Sequence, residues 1–236
     1  MTIQIYKKKE IMQAFPEWKE KGQVISLVGG GGKTTLMYTM AQWYHQQGYR
    51  VLVSTTTHIQ KPNPETWVKE PQELEEFWKK GVIPVAGEDS GLTKIRMPQN
   101  LESYIGHADI ILLEADGAKR HPCKVPIEKE PVLLPQSNLV IGVMGLDALG
   151  KPIGESCFRV EETCKLLRKT ETERLTPEDM ATILMSEKGT RKNIGHRDYY
   201  IVLNKCDSEK EYTQGVQVLK ALEKRGMKQA VLSCLQ

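Results

Sequence analysis

Near-continuous apolar runs of strand length recur along the chain, at residues 23–29, 50–57, 109–116, 138–145, 199–207 and 229–234. Continuous rather than alternating runs suit strands covered on both faces, as in a parallel sheet. Helical periods lie between them. In residues 34–47 the positions Leu36, Met37, Met40, Trp43 and Tyr44 share one face before Gly48, and in residues 209–225 Tyr212, Val216, Leu219 and Leu222 do so before Gly226. At this spacing the methionines and aromatics are core residues. Alternating strand and helix predict an α/β fold, a mostly parallel sheet flanked by helices in three layers.

Two stretches break the rhythm. Residues 61–97 carry Pro62, Pro64, Pro71 and Pro84 around a short acidic helix near 73–80, and read as an insertion at the sheet edge. Residues 150–193, anchored by Leu166, Leu167, Ile183 and Leu184, read as a helical insertion in a single domain spanning 1–236. A proline-punctuated loop, 117–135, follows an acidic strand end, where open parallel sheets border their ligands.

Composition narrows the class. Of 236 residues, 39% are hydrophobic and 27% charged, as in ordinary globular proteins. The net charge of +3 comes from 33 basic and 30 acidic residues that are interspersed, so no nucleic-acid partner is expected. Lys7-Lys8-Lys9 beside Glu10 reads as a solvated helix start. Five cysteines without a C-x-x-C pair argue against a disulfide framework or a zinc ribbon. Neither a signal core nor a membrane-spanning run is present, which places the expected location in the cytoplasm.

The strongest chemical signal is Gly29-Gly30-Gly31-Gly32-Lys33-Thr34-Thr35 between a strand and a helix. A glycine turn at a helix N-terminus aims backbone N–H groups at phosphates, so the run is a P-loop and the fold is expected to be P-loop NTPase-like. The general pattern's first glycine falls on Leu27. Lys33 is expected to bridge the β- and γ-phosphates, Thr34 to coordinate Mg²⁺, and Thr35 to cover the α-phosphate side.

Two further constellations follow. The run Ile110-Ile111-Leu112-Leu113-Glu114-Ala115-Asp116-Gly117 ends a buried strand in two carboxylates, which alternation puts on one side. Asp116 is expected to hold Mg²⁺ directly or through water, and Glu114 or Asp116 to orient an attacking water. The segment Asn204-Lys205-Cys206-Asp207, after an apolar strand, resembles the base-specificity motif of GTPases. An Asp207 carboxylate accepts from guanine N1–H and the 2-amino group but mismatches adenine, so GTP is favoured, with ATP the alternative. By the same resemblance Asn204 would bond back to the P-loop and the base, Lys205 would lie along the ring plane, and Ser233 and Cys234 would stand where GTPases often supply a backbone donor to guanine O6.

Weaker candidates are the hydroxyl run Ser54-Thr55-Thr56-Thr57, equally ordinary strand composition, and His58, His121 and Cys123, which lack ligand spacing. No arginine is assignable as a finger on the transferred phosphate.

Together these motifs, with Thr55-Thr56-Thr57, Glu114-Ala115-Asp116-Gly117-Ala118-Lys119, Glu130-Pro131 and Gly145-Leu146-Asp147-Ala148-Leu149-Gly150-Lys151-Pro152, resemble the YqeC family of selenium-dependent hydroxylase accessory proteins. The resemblance covers most of the chain. It implies a role in maturing molybdenum hydroxylases that need a labile selenium-containing cofactor, with such an enzyme or its cofactor as partner. The family often has a histidine where Lys129 stands. The loop also resembles metallochaperone GTPases and dimeric ATPases, but Val28 occupies their extra lysine position, so no lysine crossing a dimer interface is expected. Loops 119–135 and 145–152 lack counterparts in ordinary GTPases and are the candidates for client or cofactor contacts.

The expectation is a Mg²⁺-dependent GTP-binding hydrolase. The alternatives are a nucleotide-gated chaperone with incidental turnover and an ATP-using small-molecule phosphotransferase.

Overall fold

The computed structural model describes residues 3–15, 18 and 20–235. The first half runs β1 (Ile5–Lys7), β2 (Gln23–Gly29), α1 (Lys33–Gln46), β3 (Val51–Thr55), β4 (His58–Gln60), β5 (Trp67–Val68), α2 (Leu74–Lys79), β6 (Val85–Ala86), β7 (Glu88–Asp89), β8 (Lys94–Arg96), α3 (Leu101–Ile105) and β9 (Ile110–Glu114). The second runs β10 (Cys123–Lys124), β11 (Leu139–Gly145), α4 (Ile153–Ser156), β12 (Cys157–Phe158), α5 (Val160–Leu167), α6 (Pro177–Met185), β13 (Asp198–Asn204), α7 (Glu209–Glu223) and β14 (Ala230–Cys234).

Nine strands form one sheet in the order β1-β14-β13-β11-β2-β9-β3-β6-β5, and every neighbouring pair is parallel. Helices cover both faces, giving the three-layer α/β/α arrangement. On one face Leu36, Met37, Met40 and Tyr44 of α1 pack with Ile25, Leu27, Val51 and Val53. On the other, Ile183 and Leu184 of α6 and Val218 and Leu222 of α7 meet Val140, Met144, Ile201 and Leu203. Each such side chain contributes about 1.5–3 kcal/mol through burial. Trp43 is only partly buried at the margin of this core.

Helix ends follow local chemistry. Ser208 caps α7 by accepting from the Glu211 N–H, Thr176 and Asp179 form a capping box on α6, and α1 and α7 are followed by Gly48 (φ +85°) and Gly226 (φ +83°).

The segment read as an edge insertion supplies β5 and β6 to the main sheet itself, and its β7 and β8 join β4 in a small antiparallel sheet. The stretch 150–193 supplies α4, α5 and α6, and between α4 and α5 the short strand β12, which pairs with β10. The N-terminal region departs from its sequence reading. Lys7 ends a strand paired with β14, and a 3-10 turn at Ile11–Ala14 follows in place of a solvated helix start at Lys7–Lys9. The cause is apolar. Ile3 and Ile5 pack toward the α7 side of the sheet and Tyr6 toward the α1 side, and this burial outweighs the preference of three lysines for a solvated helix.

Candidate functional site

The central strand β2 leads directly into the glycine loop and α1. Leu27, where the general pattern has glycine, still lies inside β2, paired with Glu114 of β9 and fully buried. The turn begins two residues later, with Gly29, Gly31 and Gly32 at φ +96°, +69° and +119°. Close approach reinforces the need for glycine: a Cβ on Gly31 would collide with the Gly145 backbone, and one on Gly32 with the Asn204 amide.

The loop is braced by its neighbours. Gly30 N–H donates to Val143 O at 2.9 Å and Gly31 N–H to His121 O at 3.1 Å. The first-turn amides of α1 have no intrahelical acceptor, so Lys33, Thr34 and Thr35 present N–H groups and the positive end of the helix dipole at the cleft.

Lys33 is 4% exposed. Its ammonium donates to Gly29 O at 2.5 Å and lies 3.1 Å from Asp116 Oδ1 and 4.0 Å from Glu114 Oε1. The two carboxylates at the end of β9 therefore meet around one lysine, yet they serve different neighbours. Both Asp116 oxygens accept from Gly29 N–H, at 3.0 and 3.2 Å, which ties the loop's first glycine to the acidic strand. Glu114 Oε2 accepts from the Thr34 hydroxyl at 2.7 Å. Burial raises the Glu114 pKa above the ordinary carboxylate value, opposed by the Lys33 charge and the Thr34 bond.

The sequence reading missed a second lysine here. Lys124 of β10 is fully buried, 2.7 Å from Glu130 Oε2 and 3.4 Å from Asp116 Oδ2, and it donates to Gly117 O at 2.7 Å. A buried ammonium persists only when so paired.

The Asn204–Asp207 segment sits at the adjoining strand end. Asn204 Nδ2 donates to Gly31 O at 2.9 Å, and its Oδ1 accepts from the Ser233 hydroxyl at 3.1 Å. Lys205, at φ +63°, pairs with Asp147 at 2.8 Å and lines the cleft. Asp207 Oδ1 accepts from the Cys234 thiol at 3.0 Å.

These elements surround a cleft of about 510 Å³ lined by Gly30 to Thr35, Glu114 and a set of basic side chains, Lys94, Lys119, Arg120 and Lys205 among them. One carboxylate among these cations suits a polyanion. Arg120 belongs to the set although no arginine was assignable from sequence. Lys119 (φ +46°) and Arg120 (φ +66°) form the centre of a turn closed by His121 N–H to Ala118 O at 2.9 Å, a conformation that non-glycine residues signal poorly.

Of the weaker candidates, His58 and His121 line the cleft, whereas Cys123 is buried opposite Cys157 in the β10–β12 pair. The hydroxyls of Ser54, Thr55 and Thr56 donate to Ala86 O, Glu114 O and Val132 O, so they brace the sheet and the loop behind it. Among the described residues no group of three or more His, Cys, Asp or Glu side chains could hold a metal ion. None of their helices is long and apolar enough to cross a membrane.

Fold and loop define the class: a P-loop NTPase-like α/β protein with a nucleotide-binding architecture. Residues 25–161 match the family described as YqeC protein, and the YqeC protein of Escherichia coli (strain K12) is 30% identical over 190 residues, 75% of this chain and 73% of that relative. The chain belongs to the YqeC family. Solved structures that align with it include the hydrogenase maturation factor HypB from Archaeoglobus fulgidus, at 13% identity over 97% of this chain and 87% of that one, with a TM-score of 0.38. A GTPase in apo form from Pyrococcus abyssi aligns at 16% identity over 90% of each chain, with a TM-score of 0.41.

Proposed function

We propose that the protein binds and hydrolyses GTP with Mg²⁺ and acts as an accessory factor in maturing selenium-dependent molybdenum hydroxylases. The observation that carries the nucleotide choice is the 2.9 Å bond from Asn204 to Gly31 O, because it joins the segment bearing Asp207 to the phosphate loop. A guanine base reaching Asp207 while its phosphates lie on α1 would be read by a carboxylate that adenine leaves unmatched.

The residues at the helix start fit Mg²⁺. Thr34 and Glu114 offer two hard oxygens 2.7 Å apart, close to the separation of about 3 Å between adjacent ligands of an octahedral ion bonded at about 2.1 Å. Of the two strand-end carboxylates, Glu114 would stand beside the metal through its bond to Thr34, while Asp116, which holds Gly29 and Lys33, would reach it through water. Held there by Thr34 and Glu114, Mg²⁺ would supply positive charge that offsets the charge of the phosphates.

Lys33 leaves Gly29 O for the phosphates and Arg120 adds charge from the cleft wall. In hydrolysis a water oxygen bonds to the γ-phosphorus as its bond to the β–γ bridging oxygen breaks. GDP leaves, and the water's proton passes to a phosphate oxygen or to solvent. The maturation role rests on membership of the YqeC family and on the loops 119–135 and 145–152, which contribute Arg120 and His121 to the cleft and Asp147 as the partner of its Lys205.

Phosphate release measured with GTP, with and without a selenium-dependent molybdenum hydroxylase in its immature form, tests this. Stimulation by the client supports it. A rate that the client leaves unchanged, while nucleotide still controls client binding, would replace the hydrolase with a nucleotide-gated chaperone.

A further inference from the structure

Beside the cleft lies a second cavity of about 360 Å³, whose walls include Thr57, His58, Lys94, Lys119, Phe158 and Arg159. The two meet at His58, Lys94, Gly117 and Lys119, which line both. Three permanent cations face this second space. Its one carboxylate, Glu130, is already engaged by buried Lys124 at 2.7 Å. A concave surface with that imbalance favours an anionic occupant.

The cations are held in place. The Arg159 guanidinium lies 4.6 Å and the Lys119 ammonium 5.4 Å from the centroid of the Phe158 ring, so both are drawn to the same aromatic ring. Their backbones are at φ +70° and +46°, in the left-handed region that residues other than glycine rarely adopt. Such strain accumulates where geometry at a site matters more than local comfort.

The cavity is also connected to the phosphate loop by charge. Asp116, which binds Gly29 N–H, is 3.4 Å from Lys124; Lys124 is 2.7 Å from Glu130; Glu130 is 3.9 Å from Arg159. This chain of ions runs from the first loop glycine to the wall of the second cavity.

We infer that the second cavity is a ligand subsite for a small molecule bearing a phosphate or carboxylate group, held by Arg159 and Lys119 next to the terminal phosphate of the nucleotide. The inference rests on the P-loop cleft being the triphosphate site. Arg159 supplies a planar fork that meets two oxyanion atoms at once, and Lys119 a point charge at the neck where the two ligands come closest.

The test is calorimetric. Protein is first saturated with Mg²⁺ and a β,γ-imido triphosphate, in the guanine or adenine form, whichever saturates, and then titrated in separate arms with inorganic phosphate and with malonate. The subsite predicts one-to-one uptake of at least one anion, weakened at least tenfold in Arg159→Gly, which relaxes the backbone and removes the fork, with partial recovery in Arg159→Lys. The better-bound anion identifies the group. If the saturated wild type takes up neither anion, or Arg159→Gly binds both as tightly as wild type, the subsite is overturned while the triphosphate reading stands. If wild type binds neither imido triphosphate, the triphosphate reading fails, and the subsite beside it falls too.

Discussion

The Thr34 hydroxyl donates to Glu114 Oε2 at 2.7 Å, so the first turn of α1 and the end of β9 are joined at the point where a metal-bound triphosphate would lie. This bond distinguishes two carboxylates that are only two residues apart.

Glu114 gives the site a pH dependence. Burial, the largest influence, raises its pKa, so between the ordinary and the raised value the folded protein binds the proton more fully than the unfolded chain does. Its contribution to stability is therefore fully present below the ordinary carboxylate range and is lost as pH rises through the raised value. Metal binding needs the ionised form, so Mg²⁺-dependent GTP affinity should rise across the same window. Urea unfolding without nucleotide and GTP titration at a series of pH values should show opposite trends, both flattened in Glu114→Gln, with GTP affinity at neutral pH lowered about tenfold or more. Unaltered pH trends in that variant would refute this role.

Lys124 is the electrostatic centre behind the loop. Lys124→Met leaves Glu130 without its closest cation and Asp116 with one fewer, and breaking a buried pair from one side costs about 3–5 kcal/mol. Urea unfolding should show a loss of that order. A loss under about 1 kcal/mol would mean that the pair is solvated in solution.

In the proposed guanine site, base choice would depend on Asp207. Asp207→Asn should weaken GTP roughly 10–100-fold, the worth of a charged hydrogen bond, and improve xanthosine triphosphate, whose carbonyl suits an amide donor. Competition binding with the two nucleotides reads both changes, and undiminished GTP affinity would remove Asp207 from base recognition.

The sheet was legible because parallel strands buried on both faces leave continuous apolar runs, and the runs at 23–29 and 138–145 became β2 and β11 within one residue. The strand β1 was not, since three residues beside a lysine cluster carry no periodic signal. The grouping of Lys33, Glu114 and Asp116 was legible from their places after two strands. Lys124 was not: a single lysine in a proline-rich loop resembles a solvated residue until Cys123 pairs with Cys157 and β10 is drawn under the site. Loop 119–135 was legible as a contact candidate, but the left-handed turn that puts Lys119 and Arg120 in the cleft was hidden, because glycine and asparagine, not basic residues, mark such turns in a sequence.

The most direct test of Mg²⁺-dependent triphosphate binding at this loop is an equilibrium titration of wild type and Lys33→Ala with GTP, ATP and CTP, each with and without Mg²⁺. The proposed function predicts that wild type binds GTP most tightly and only weakly without Mg²⁺, and that Lys33→Ala loses at least a hundredfold, about 2.7 kcal/mol or more. Equal binding of all three nucleotides would contradict the guanine site, and undiminished binding by Lys33→Ala would contradict the P-loop account itself.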